Sequence, residues 1–260
     1  MSDEKNKKYW DFKNKTDESA DLYIYNEIAS WGEGNYATSA RSFKRDLDDL
    51  GNIKELNIYI NSPGGSVFEG ISICNMLKRK KYIKNVYIDG LAASIASVIA
   101  MAGDNIIMPK NAMIMIHNPW TFTCGNAKDL RETADRLDKI CDSIKETYLE
   151  KAGELLDYDT LTDFMNEETW FSADEAFDIG LCTKVEEESN VAACICDDLF
   201  KNYINVPEIY KNKNISKSKE NDEKETDNKQ LSDEEATLRQ KLIEESKNSI
   251  NSINKILGIN

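Results

Sequence analysis

Histidine is almost missing from this chain: its 260 residues include one, His117. Any chemistry that needs an imidazole therefore has a single candidate. Positive charge is also in deficit. Lys and Arg number 33 against 47 Asp and Glu, a formal net charge of −14 with a pI near 4.7. Phosphate backbones attract clusters of Lys and Arg, so this balance argues against a nucleic-acid partner and against adhesion to an anionic membrane. Long apolar runs are absent too. The opening "MSDEKNKKYWDFKNK" is polar and lacks the apolar stretch of a secretory signal. No run approaches the roughly 18 apolar residues of a membrane span. The longest, "GLAASIASVIAMAG", is short, made of small residues, and reads as a buried helix. Cys194 and Cys196 form a C-x-C pair, but without a second pair or a nearby His a zinc site is not expected. Most of the six cysteines (Cys74, Cys124, Cys141 and Cys182 are the others) sit in apolar patterns, where a free Cys acts as a small hydrophobe. A reducing, cytoplasmic setting is expected. No internal repeat is visible.

What is present suggests one α/β domain with appendages. Residues 1–19 read as a flexible arm, with Tyr9, Trp10 and Phe12 as its available anchors. "LYIYNEI", "ELNIYINS", "NVYIDG", "NIIMP" and "MIMIH" read as strands, rich in β-branched and aromatic residues. Between them, residues 35–50 and 66–80 place apolar side chains at helical spacing. This alternation predicts stacked βαβ-type units over residues 20–204. Residues 126–152 form one long amphipathic helix with Ala127, Leu130, Ala134, Leu137, Cys141, Ile144 and Tyr148 in a narrow stripe. Such a stripe fits a helix that projects to meet a partner, or an ordinary surface helix on its own core. "TWFSADEAFDIGLCTKV" closes the domain, with Ser172 and Glu175 as a capping box and Gly180 ending the short helix. From about residue 205 the apolar content collapses. Residues 205–260 read as a charged, largely disordered tail with a conditional helix after Ser232 and Glu235.

Three features could carry chemistry. His117, as the one imidazole, is the available base for a nucleophilic Ser near neutral pH, although a His ending an apolar strand is often structural. Ser94, in "DGLAASIAS", follows a strand and opens a helix, which exposes its side chain near helix N-terminal amides. The same position also suits a plain N-cap. Ser97, one turn inside the helix, would point elsewhere. "NSPGGS" can turn backbone N–H groups outward to hold an oxyanion, or can be a simple turn.

"INSPGGSV", "AASIAS" and "MIMIHNP", followed by a long helix and "WFSADEAFDIGL", together resemble the ClpP peptidase family across roughly residues 20–187. The resemblance implies a spiral of βαβ units in the ClpP/crotonase manner, with a protruding handle helix. It implies a Ser-His-acid triad with Ser94 as nucleophile and His117 as base. Gly65 and the amide of Ile95 match the oxyanion hole, with Gly64 as turn partner. The acid position falls on Glu168 where the family usually has Asp, with Glu167 the near alternative. No metal or organic cofactor is implied.

The opening "KKYWDFKN…ESADLYIYNEIAS" and the "EETWFSADEA" motif resemble ClpP-related head maturation (prohead) proteases of tailed phages and prophages. That implies an ATP-independent endopeptidase cutting scaffold, capsid-protein or portal segments in the host cytoplasm or inside assembling proheads. It also implies self-association into a ring, heptameric by the family pattern, single or stacked in two. The opening and the charged tail depart from the housekeeping peptidase, which argues against docking to an unfoldase ATPase. The alternatives are a host-type Clp peptidase working with such an ATPase, a crotonase-type acyl-CoA enzyme, and an inactive assembly protein.

Overall fold

The computed structural model describes residues 8–30, 38–187 and 203–207. All belong to the first of two compact units, residues 1–212. The Cys194–Cys196 pair and nearly all of the expected tail, including its capping box, lie outside the described residues. The strands are β1 (Trp10–Lys13), β2 (Ser19–Tyr25), β3 (Glu55–Ser62), β4 (Ile83–Ala93), β5 (Asn105–Pro109), β6 (Met113–Ile116), β7 (Thr169–Ser172) and β8 (Lys184–Glu186). The helices are α1 (Ala40–Asp48), α2 (Val67–Lys78), α3 (Ile95–Ala100), α4 (Ala127–Ala152), α5 (Tyr158–Asn166) and α6 (Ala173–Asp178). The result is a mixed α/β fold. Among the described residues, no helix is long and apolar enough to cross a membrane.

The strands join in one sheet of order β1-β2-β3-β4-β5-β8, with β6 bonded to both β4 and β7. Every pairing is parallel except β1 with β2 and β6 with β7. Strict alternation drives the central strands together. Leu22 and Ile24, then Leu56, Ile58 and Ile60, then Val86 and Ile88 all point into the core and are buried. α2 covers them with Ile73, Cys74 and Leu77.

β4 is shared between two neighbours on one edge. Its first half pairs with β5 (Asn85↔Asn105 to Tyr87↔Ile107), and its end pairs with β6 (Leu91↔Met113 to Ala93↔Met115). On its other edge the β3 register shifts, from Ile60↔Ile88 to Ser62↔Ala92. Such a bulge bends a strand and re-aims what lies beyond it, so β4 can serve two partners in turn.

Several expectations need correction. "GLAASIASVIAMAG" is not one buried helix. Gly90–Ala93 complete β4, and α3 holds six residues. Pairing with β6 satisfies the backbone of this small-residue segment, which intrinsic helix preference does not outweigh. Where composition suggests a flexible arm over residues 1–19, Trp10–Lys13 forms an antiparallel edge strand. Burial of Tyr9 and Trp10 fixes it, with the Trp10 ring 5.6 Å from Phe43 and its indole N–H donating to Asp46. Between α4 and Ser172 lie α5 and β7, which periodicity does not flag. Asp157 caps α5 by accepting from the N–H groups of Asp159 and Thr160.

α4 divides along its length of about 39 Å. Cys141, Ile144 and Tyr148 are buried in its second half, whereas Ala127, Leu130 and Ala134 are exposed in its first. Close by, Trp120 and Phe122 are also exposed, Phe122 to 92%.

Candidate active site

Strand register brings the two principal candidates together. Ala93 and Met115 are partners on β4 and β6, so Ser94 and His117 lie just beyond the same ends of neighbouring strands. The Ser94 N–H extends the ladder by donating to the Met115 carbonyl at 2.9 Å. His117 Nε2 then sits 2.8 Å from Ser94 Oγ, within hydrogen-bonding distance. Beyond the imidazole, the chain is pinned to α5 through Asn118 N–H to the Met165 carbonyl.

Ser94 has φ 54° and ψ −129°, backbone that L-residues seldom adopt. Holding it costs on the order of 1–3 kcal/mol. Its side chain does not cap α3, which removes the N-cap alternative. Ser97 is fully buried beneath. Its hydroxyl meets the carbonyls of Ser94 and Met115 and, at 2.7 Å, the hydroxyl of Tyr148 from α4. With one proton of its own, Ser97 donates to a carbonyl and accepts from Tyr148. It thus faces inward, away from the cleft, and braces the strained turn.

The "NSPGGS" turn packs directly against Ser94. Ser62 anchors it by donating to the Asn26 carbonyl and accepting from the Gly64 N–H. The Gly64 amide is thereby committed to the turn. Ile28 bridges to Gly65 through the Gly64 carbonyl and the Ser66 N–H, so the Gly65 N–H points away from Ile28. Gly65 lines the same cleft as Ser94. The Ile95 N–H, first in α3, is one of the donors that a helix start leaves free. Both glycines have positive φ, 95° and 139°. A Cβ on Gly64 would lie 2.7 Å from the Ser94 Cβ and from the Ala93 carbonyl oxygen.

Glu168 and Glu167 part company. Glu167 is exposed, whereas Glu168 is buried at 8% exposure with φ 51°. The Glu168 charge acts on His117, but its Oε1 accepts from the backbone N–H groups of Ile204 (2.8 Å) and Asn205 (2.7 Å). Among the described residues, no hydrogen bond joins Glu168 to the imidazole. Burial holds the His117 pKa below its ordinary value, and the Glu168 charge partly opposes this. The imidazole is therefore neutral at physiological pH and able to accept a proton.

The cleft, about 310 Å³, is walled by Pro63, Gly64, Gly65, Ser94, His117 and Tyr203, among others. Tyr203 escapes sequence reasoning. It sits at the edge of the compositional shift, with no motif around it. Tyr148 is legible only as part of an apolar stripe.

A hydroxyl on an imidazole nitrogen is an arrangement that can carry nucleophilic acyl transfer, and it stands in a fold of the serine-type peptidase class. Residues 18–189 match the family described as Clp protease, and the chain belongs to that family. Similar relatives include the ATP-dependent Clp protease proteolytic subunits of Streptococcus agalactiae serotypes V and III. Each is 29% identical over 163 residues, covering 61% of this chain and 82% of the relative.

Gly64→Ala is expected to displace the Ser94 backbone. Urea unfolding should fall by about 1–3 kcal/mol, as for other overpacked sites. Labelling of Ser94 by a fluorophosphonate should slow by about tenfold or more, since a shift of about 1 Å at a reacting group can cost far more. Unchanged labelling would mean that the turn does not hold the serine.

Proposed function

We propose that this chain is a serine endopeptidase acting through Ser94, His117 and Glu168. The observation that carries the reading is the 2.8 Å contact between Ser94 Oγ and His117 Nε2, in a chain of the Clp protease family. In this mechanism His117 Nε2 takes the Ser94 proton as Oγ bonds to the peptide carbonyl carbon. The N–H groups of Gly65 and Ile95 hold the oxyanion. Collapse breaks the C–N bond, and His117 returns the proton to the leaving amine. Water, deprotonated by His117, then releases the acyl group and restores Ser94. Glu168 steadies the imidazolium electrostatically and orients the ring once its own hydrogen bonds permit.

For substrates, the resemblance of the opening segment and the "EETWFSADEA" motif to head maturation proteases supports cleavage of phage capsid, scaffold or portal segments without ATP. A second reading is favoured by the relatives, which are named as proteolytic subunits of an ATP-dependent protease. Here the chain would receive unfolded protein from an ATPase. In either case the exposed Ala127, Leu130 and Ala134 of α4, with Phe122 beside them, suit burial against further copies of the chain. We read the assembly as a ring, seven-membered by family resemblance.

Fluorophosphonate labelling tests the chemistry. Ser94→Ala should abolish labelling, and persistent labelling there would sink the assignment. Glu168→Gln should slow peptide hydrolysis by about 100-fold or more. Activity should fall on the acid side as His117 protonates, at a pH below the usual histidine range because burial lowers its pKa. Glu168→Gln removes the charge that favours imidazolium, so that acid limb should move lower still.

Deleting the gene from an inducible prophage should leave full-length capsid protein in the particles. Normal capsid processing would instead favour the second reading, as would hydrolysis of unfolded protein stimulated by a host Clp ATPase. Ring assembly predicts a multiple of the 29.6 kDa chain mass in sedimentation at micromolar concentration, and a monomer would refute it.

A further inference from the structure

Residues 203–207 lie across the cleft rather than beside it. The Tyr203 hydroxyl donates to the Pro63 carbonyl, at the root of the Gly64–Gly65 turn, and also interacts with Ser94. Its ring stands edge-on to His117 at 5.5 Å and to Trp170 at 5.8 Å. Tyr203 packs on Leu91, Ala93 and Met115, the ends of the two strands that carry Ser94 and His117. The next two residues present their N–H groups to Glu168, and the Asn205 side chain donates to the Glu167 carbonyl. Ile204 stays 85% exposed while Val206 is buried. The segment therefore engages the site through one aromatic side chain and two consecutive backbone amides, which converge on one carboxylate oxygen as the chain bends at residues 204 and 205.

Position alone has two consequences. A substrate carbonyl attacked by Ser94 must approach Oγ through the cleft, and the Tyr203 hydroxyl, held by the Pro63 carbonyl, already stands against Ser94 there. The carboxylate whose charge acts on His117 is also the group that accepts the two amides. Burial and the Glu168 charge push the Tyr203 pKa up, so the phenol remains a neutral donor.

We propose that residues 203–207 are a tethered occupant of the peptide cleft, filling an aromatic subsite walled by Pro63, His117 and Trp170 and leaving before a protein substrate reaches Ser94. The proposal rests on the peptidase reading and adds its regulation and a side-chain class. Substrates that compete best carry an aromatic residue at the matching position, followed by two free backbone N–H groups.

The test uses the full chain. Fluorophosphonate labelling of Ser94 is timed in wild type, Tyr203→Phe and Tyr203→Ala. Removing an occupant that keeps the open form a small fraction should accelerate labelling about tenfold or more in Tyr203→Ala. Tyr203→Phe, which keeps the ring and loses the bond to Pro63, should fall between. The peptide N-acetyl-Tyr-Ile-Asn-Val-Pro-amide, added to Tyr203→Ala, should slow labelling again in a saturable manner. Where wild type labels, labelling at or below its rate in both variants, or no effect of the peptide, overturns the proposal.

A second measurement needs no catalysis. His117 is the one histidine, so its imidazole NMR signals titrate without ambiguity. Tyr203→Ala should raise that pKa toward the ordinary value as water reaches the ring, and an unmoved titration overturns the proposal. A moved titration without labelling in any variant supports occupancy and refutes the peptidase reading. Labelling that is neither accelerated nor accompanied by a shift does the reverse.

Discussion

The pairing of the last residues of β4 with β6 is the constraint on which the site depends. It sets Ser94 and His117 at the ends of adjacent strands, and the Ser94 N–H bond to Met115 extends that ladder into the turn. The fold meets this requirement by an irregularity on the opposite edge of β4, where the β3 register slips before Ser62. The slip falls between the stretch of β4 that pairs with β5 and Leu91–Ala93, which pair with β6. A local irregularity in a mostly parallel sheet thus lies directly opposite the strand ends that carry the candidate site.

Strain at Ser94 has to be compensated nearby. Two devices do so from opposite sides. From below, Ser97 ties the Ser94 and Met115 carbonyls to Tyr148, so the second half of α4 is joined to the Ser94 turn by buried hydrogen bonds. A buried polar pair of this kind is costly to disturb from either end, because removing one partner leaves the other unsatisfied. From above, Gly64 fills the space against Ser94 so closely that a single methyl group does not fit. The serine is therefore clamped between a helix that the chain extends outward and a turn that also offers the Gly65 amide to the cleft.

Much of this is legible in the sequence, for identifiable reasons. Strict alternation in "ELNIYINS" and the helical stripe of residues 126–152 mark β3 and α4 close to their observed limits. The solitary His117 narrows the base to one residue by count alone. Elsewhere local signals give way to tertiary ones. Alanines in "GLAAS" have no strand preference, yet a partner strand makes them β4. Trp10 looks like part of a polar arm, yet Phe43 and Asp46 fix it in the sheet. Tyr203 carries no signal at all, because its role comes from walls contributed by β3, β4, β6 and β7. No spacing rule links residue 203 to residues 63, 94, 117 and 168.

Glu168 then stands between two demands. Its burial and positive φ direct the carboxylate inward from the start of β7, next to His117 and next to residues 204 and 205. Backbone N–H groups that meet a buried carboxylate at 2.7–2.8 Å are strong partners, and the imidazole N–H is a partner of similar kind. Oε1 holds both donors, which leaves Oε2 as the oxygen the ring would have to meet. Glutamate is one methylene longer than the aspartate that the family resemblance leads one to expect, and here its carboxylate meets the 204–205 backbone. The 204–205 backbone thus helps to fix where this carboxylate points. On the proposed mechanism, the carboxylate that would steady His117 is therefore the same one that holds residues 204 and 205.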